Sequence, residues 1–505
     1  GRTVYSPLFG GVYWDAQNVL QEDIKQIEVI SGPGGSLWGA NAVNGIVNVI
    51  SKTAKESQGL YASAAGGFQP RDFGAIRYGS HIDTTLYYRV YAQRFDFNNT
   101  TLNGGIDAKD AWNMSQGGFR MDYYPGSKNT FTFQGDLYKG KEDDSASTYI
   151  NGQNMLGRWT YNYSENSNFA VQAYYDRTYR NITRQVFKDE LNTFDIDLQH
   201  NLSTGKRNKF VWGLGYRLDA DNISNITNSI LPAVKTLHLF SGFLQDQFTI
   251  IANRLDLTLG TKVLHNDYTS FELQPTVRLA YTPNSKNTVW ASASRAVRTP
   301  SRFDGDNPSS PDFDSEVLIA YELGYRVRPA KNILLSLATY YNNYNNLRSI
   351  DSSATPPPTF YFGNHLEANT YGIEFSANAV LLPWWKLRGG YTWLHEEFET
   401  TSPITYPLSK YIEAIDPSNQ FLVQSLMDIG KHFQFDGTAR YVDALPQAIT
   451  QPAVPAYFTF DLRFAFIYNW ITVSVTGTNL AQENHGSSGS VKIPRSGFAK
   501  ISVIF

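Results

Sequence analysis

The sequence predicts an all-β membrane protein: an antiparallel transmembrane β-barrel of about 22 strands with a small mixed α/β segment in its lumen. Three observations lead there. Residues 57–505 read as one run of alternating strands, with no linker, low-complexity stretch or charge block. Short turns and longer connections succeed one another along that run. Residues 1–56 differ in kind, being mixed in pattern and punctuated by glycine.

Composition agrees. The 505 residues include no cysteine, which excludes a disulfide framework and thiolate metal sites. Aromatics make up 14% and charged residues only 18%, a balance unusual for a soluble enzyme. No window of about 18 apolar residues exists, so no transmembrane helix is expected. A barrel escapes that test because only alternate residues face lipid. The net charge of −3 gives no reason to expect nucleic acid. The chain opens GRTVYSPLFGG, without a basic or apolar leader, so residue 1 is expected to be internal to a longer precursor.

The strands are legible as alternation. Phe458, Phe460, Leu462, Phe464 and Phe466 share one face while Thr459, Asp461 and Arg463 take the other. Phe131, Phe133 and Leu137 oppose Thr132, Gln134 and Asp136. A soluble sandwich would alternate too, so the connections carry the distinction. Ten turns are short, among them Ser164–Asn168, Pro283–Asn287 and Tyr468–Asn469. Most of those between them are longer, including Gly140–Gly152, Thr178–Leu191, Val297–Asp314 and Asn346–Leu366. Long outside loops with short inside turns are how outer-membrane barrels are built. The last strand places Ile501, Val503 and Phe505 on one face and stops on the aromatic, the pattern of a barrel-assembly signal.

Residues Ile27–Lys52 read IEVISGPGGSLWGANAVNGIVNVISK. Gly32-Pro33-Gly34-Gly35 demands a tight turn, because glycine reaches positive φ cheaply and proline fixes its own φ. Gly39, Ala40, Asn41 and Ala42 are small enough to lie against a wall, and Gly45–Ile50 is a β-branched strand. A nucleotide-binding loop fails, since no Lys-Ser/Thr follows at the required spacing.

This segment resembles the plug domain of TonB-dependent outer-membrane receptors. Glu28, Gly32, Pro33, Gly39, Ala40, Asn41, Gly45, Asn48 and Lys52 carry the resemblance, and Ser31 departs from it where an arginine is common. In the barrel, Arg295, Arg298 and Pro300, followed by Glu322 and Gly324, are similar to a second family segment. The resemblance implies that residues 1–56 are the C-terminal part of a plug and residues 57–505 the barrel. It implies TonB-driven import of a scarce solute across the outer membrane of a Gram-negative bacterium. The implied partners are TonB with its inner-membrane energising complex, reached through a box upstream of residue 1, outer-membrane lipid and lipopolysaccharide, and the barrel assembly machinery. The commonest implied cargo is a ferric siderophore, with cobalamin open and a passive pore as the competing class. Haem is disfavoured because no histidine lies between Arg298 and Glu322, and copper because methionine and histidine are sparse.

No catalytic set is persuasive, and neither enzymatic activity nor a cofactor is expected. The eight histidines are scattered, with no metal-ligand spacing. Asp304, Asp306, Asp312 and Asp314 have the oxygen chemistry of a calcium loop, a solvated loop being the plainer reading. Arg278, Arg326, Arg388, Arg440 and Arg463, with Glu322 and Glu374, are expected to face the lumen, some pairing with the plug through Glu28 and Lys52. Trp112, Tyr149, Phe303, Tyr361, Phe362 and Tyr406 are loop aromatics that could stack on a ligand or pack within loops.

Overall fold

The computed structural model describes the chain except for residues 103, 144–146, 225–229, 309–312, 353–359, 406–408, 410–414, 448–451 and 489–490. Twenty-two antiparallel strands close into one barrel, each beside its sequence neighbour. The first, Gly59–Gly67, meets the last, Ser496–Ile504, so that Ala64 lies opposite Ile501 and Ala62 opposite Val503. Closure leaves no unpaired edge, which a bilayer would not tolerate.

The ten predicted short turns fall between strands, as at Ser164/Ser167, Asn284/Asn287 and Tyr468/Ile471. Several predicted long connections are corrected. Gly140–Gly152, Thr178–Leu191 and Asn346–Leu366 are largely strand, because the paired strands run on past the bilayer. Phe360–Leu382 has 23 residues and Ile333–Ser352 has 20, about twice what crossing the hydrocarbon requires. Their polar sequences hid this: once outside lipid, a ladder needs only a partner for its backbone groups, not apolar side chains.

The side-chain partition follows the alternation. Phe131, Phe133, Leu137, Phe458, Phe464 and Phe466 are exposed on the outer wall, whereas Thr459 is buried on the lumen side. Aromatic rings gather near the short-turn end, with Tyr123, Phe131 and Trp159 stacked in succession at 6.2 and 6.4 Å. Such a girdle suits the level of the lipid headgroups.

The seam is closed at the chain end. The Phe505 amide donates to the Leu60 carbonyl at 2.9 Å, Leu60 returns the bond at 3.1 Å, and the Phe505 ring stacks on Trp470 at 4.5 Å. Deleting Phe505 removes two hydrogen bonds of about 1 kcal/mol each and the ring contact. The yield of folded, heat-modifiable barrel in outer membranes should fall; an unchanged yield would show that the terminal ring is dispensable.

Candidate functional site

Residues 1–58 lie inside the barrel. Their regular core is a hairpin, Ile24–Ser31 paired with Gly45–Ser51, with one helical turn, Gly35–Trp38, between the strands. The small residues answer to geometry. Gly32 has φ +77°, and a Cβ there would stand 2.4 Å from Glu322 Oε1 on the wall. Gly39 has φ +93° and faces the Lys262 side chain, while Gly45 approaches the Ile30 carbonyl. Asn41, at φ 71°, receives the Thr299 amide on its side-chain oxygen at 3.2 Å and donates its own amide to the Val297 carbonyl at 2.8 Å. Gly32→Ala must therefore adopt a left-handed backbone and displace Glu322. A loss of about 1–2 kcal/mol in hairpin stability is expected from the backbone alone. Hydrogen exchange across Ile24–Ser31 reads it, and unchanged protection would refute it.

The expected pairing of wall charges with Glu28 and Lys52 is corrected. Glu28 is bonded within the hairpin by Gln26 and by Asn48 at 2.9 Å, and Lys52 Nζ donates to the Glu22 carbonyl at 2.8 Å. Both are held within the lumen segment itself. Arg440 and Arg463 pair along the wall instead, with Asp461 and Asp436, while Arg278 lies over the Trp290 ring. Gly324 leaves room for that indole, since a Cβ would stand 2.2 Å from its ring.

The ion pairs that tie the segment to the wall involve other residues. Asp23 sits between Arg77 at 2.7 Å and Arg89 at 3.3 Å, all three side chains no more than 7% exposed. Arg89 also donates to the Lys52 carbonyl at 2.8 Å, and Asp122 accepts the Ala54 amide at 2.7 Å. Glu22 pairs with Lys500, Asp15 with Arg180 and Arg2 with Asp176. These ion pairs fall on one arc of the wall, from Ser496–Ile504 round to Ser167–Ile182, and with Asn41 held by Val297 and Thr299 on the opposite side the segment spans the lumen. The sequence marks two of these anchors by resemblance alone, since Asp23-Ile24 and Gly1-Arg2 also look like family positions, and gives no sign of their partners.

At the end of the segment, Lys25 and the amide and hydroxyl of Thr53 pull the Glu56 carboxyl from its ordinary 4.5 down to about 2. A depressed folded value means these Glu56 contacts stabilise at neutral pH and are lost as pH falls from about 4.5 toward 2. Exchange of the Thr53 amide should rise over that window and stay flat in Glu56→Gln.

On the outer side, the connection after Asn287–Arg298 folds inward. Pro300 is buried, and the turn Arg302–Gly305 is closed by a capping box between Ser301 and Asp304. The Arg302 amide donates to the Pro7 carbonyl and the Phe303 amide to the Leu8 carbonyl, both at 2.8 Å. Arg302, fully buried, spans Asp221 and Asp306 at 2.8 Å each. Arg298 bridges Glu316 at 2.6 Å and Asp304 at 2.8 Å, and Lys235 pairs with Asp306. Arg295 bonds Glu272 and the Leu273 carbonyl.

Both readings of the acidic loop, the plainer solvated loop and the calcium alternative, are therefore corrected at Asp304 and Asp306, which are buried. Asp304 and Asp306 are spent on guanidinium and ammonium groups; Asp314 lies in the same connection, and Asp312 lies outside the described residues. Among the described residues no three metal-ligating side chains cluster. Burial raises the Asp304 carboxyl, but Arg298 and the Ser301 amide and hydroxyl outweigh it and hold it below the usual carboxylate range.

The aromatic candidates separate. Phe303 and Phe362 meet at 5.6 Å, with Arg348 over Phe362. Tyr149 is an exposed strand residue beside buried Ile150, Tyr361 stands opposite Asp351 in the ladder, and Tyr406 lies outside the described residues. Trp112 opens Trp112–Tyr123 and stacks on Phe97 at 5.0 Å. With Trp14, Asp15, Asp110 and Glu142 it lines an open cleft of about 430 Å³ at the long-connection end. Trp14, which the sequence reading passed over, is 67% exposed there. Its position was unreadable because nothing local says that residue 14 meets residue 112.

The arrangement offers a lumen crossed by an anchored segment and a lined cleft on one side of it. A family model described as TonB dependent receptor-like, beta-barrel matches residues 67–480. The vitamin B12 transporter BtuB of Vibrio vulnificus (strain CMCP6) is 22% identical over 385 residues, 70% of this chain and 59% of its own. An iron-regulated outer membrane virulence protein of Vibrio cholerae is 23% identical over 433 residues, 74% of this chain and 63% of its own. The matched part thus spans about three fifths of the length of these relatives. Among solved structures, the siderophore receptor PirA of Acinetobacter baumannii gives a TM-score of 0.81 at 14% identity, covering 99% of this chain and 88% of that one. A variant of the ferric enterobactin receptor PfeA of Pseudomonas aeruginosa gives 0.80 at 12%, with the same coverage. At such identity these two likenesses speak for the fold.

Proposed function

Since the chain belongs to the TonB dependent receptor-like β-barrel family, we propose that it binds a scarce solute at the outer face of the outer membrane of a Gram-negative bacterium and imports it by TonB-driven movement of the lumen segment. The observation that carries this reading is the anchoring of residues 1–58 across the lumen, by Asp23, Glu22, Asp15 and Arg2 on one arc of the wall and by Asn41 to Val297 and Thr299 on the opposite side. A barrel obstructed in this way needs work from outside to pass its cargo. On this reading residues 1–56 are plug and the rest barrel, and the protein binds and moves a solute without chemistry on it. TonB and its inner-membrane complex supply the force. The assembly machinery, outer-membrane lipid and lipopolysaccharide are the remaining partners.

The cargo we favour is a ferric siderophore, in keeping with the iron-regulated relative and the siderophore-receptor neighbours. A cobalamin is the second reading, favoured by the likeness to a vitamin B12 transporter. Uptake of radiolabelled ferric complexes and cobalamin by cells carrying the full-length protein, with and without TonB, decides. TonB-dependent uptake of one of them is expected. A steady large conductance in planar bilayers, with uptake indifferent to TonB, would make the protein a passive pore.

A further inference from the structure

We infer that the cleft between Trp14 and Trp112 selects a neutral or cationic ligand with a flat apolar face and rejects trianionic complexes; this rests on the import reading above. The two indoles are the platform. Trp14 leaves two thirds of its surface open. Trp112 is held rigidly from behind, stacked on Phe97 with an interplanar angle of 8° and edge-on to Phe95 at 5.1 Å. Indole is the best side chain for stacking on a flat face and for holding a cation over its ring.

The remaining lining residues set the charge. Asp15, Asp110 and Glu142 are all acidic. The cation beside them is Arg180, bonded to Asp15, 3.7 Å from Glu142, and stacked 4.2 Å from the Tyr13 ring. Asp110 accepts the amide and hydroxyl of Thr100, neutral donors that leave its charge in place. Lys141, paired with Asp143, and exposed Lys109 are not among the residues lining the cleft. Among the described residues, three lining carboxylates beside one guanidinium give the cleft a negative balance. Such a site repels an anion before contact and complements an ammonium, or amide and hydroxyl donors.

The test is tryptophan quenching of the full-length protein in detergent by three probes: a ferric trihydroxamate bearing a free ammonium, cyanocobalamin, and a ferric tricatecholate. The cationic or the neutral probe should bind at least roughly tenfold more tightly than the trianion. Trp14→Ala and Trp112→Ala should each weaken that binding by about tenfold. Asp110→Asn with Glu142→Gln should narrow the preference while the fold, read by gel mobility, is retained. Tighter binding of the tricatecholate, affinity unmoved by both tryptophan variants, or no quenching by any probe overturns the assignment. TonB-dependent uptake of the same complexes is measured alongside. Uptake of a tricatecholate sinks the cleft assignment and leaves import standing. Tryptophan-dependent binding without uptake does the reverse.

Discussion

Asp23→Ala is expected to free the lumen segment from the near wall. The substitution leaves Arg77 and Arg89 facing each other with their shared anion gone, in a site where both side chains are at most 7% exposed. Breaking one side of a buried ion pair costs about 3–5 kcal/mol, because the surviving charge stays desolvated. Here two cations survive, so the upper part of that range applies. The Lys52 amide, bonded to the Asp23 carbonyl at 2.7 Å, should open with the residue. Hydrogen exchange across Ile24–Ser31 and Gly45–Ser51 should accelerate while the barrel ladder stays protected. Conductance bursts in planar bilayers should appear. Asp23→Asn, which keeps the shape, should lose nearly as much. Protection and conductance like those of the parent protein would mean that other contacts hold the segment.

The second large effect is expected at Arg302, whose guanidinium joins Asp306, four residues on in the same turn, to Asp221 on a wall strand and also donates to the Pro232 carbonyl. Arg302→Ala strands Asp221 and Asp306 without their shared cation, again about 3–5 kcal/mol. Lys235 remains beside Asp306 and should limit the loss on that side. The inward-folded turn should detach from Pro7 and Leu8, and the Arg302–Gly305 region should become open to protease added outside the cell. Arg302→Lys should recover less than half, since an ammonium cannot reproduce the planar fork. Full protection in Arg302→Ala would mean that the apolar cluster of Leu8, Ile223 and Ile230 suffices to hold the turn.

Much of the barrel was legible because its signals are local. Alternation at Phe458–Phe466 needs only a strand with lipid on one side and water on the other. A turn such as Asn284/Asn287 is written in four residues. The outward extensions of Thr178–Leu191 and Asn346–Leu366 were missed for the same reason: outside lipid the pairing continues without its apolar mark. The acidic loop was misread because Asp304 and Asp306 show their charge in the sequence but not the guanidinium groups that neutralise it. Glu28 and Lys52 were sent to the wall although Asn48 and the Glu22 carbonyl, within the lumen segment itself, already held them.

By itself the sequence determined the strand rhythm, the wall's two faces, the terminal aromatic and the glycine turn at Gly32, all of which depend on neighbours within a few residues. The tertiary structure alone decided which charges meet: Asp23 with Arg77, 54 residues on, and Arg302 with Asp221, 81 residues back. It also decided that Trp14 and Trp112 share a cleft. Those meetings depend on barrel register and on the path of the lumen segment, and desolvation makes each of them strong only once closure has brought the partners together.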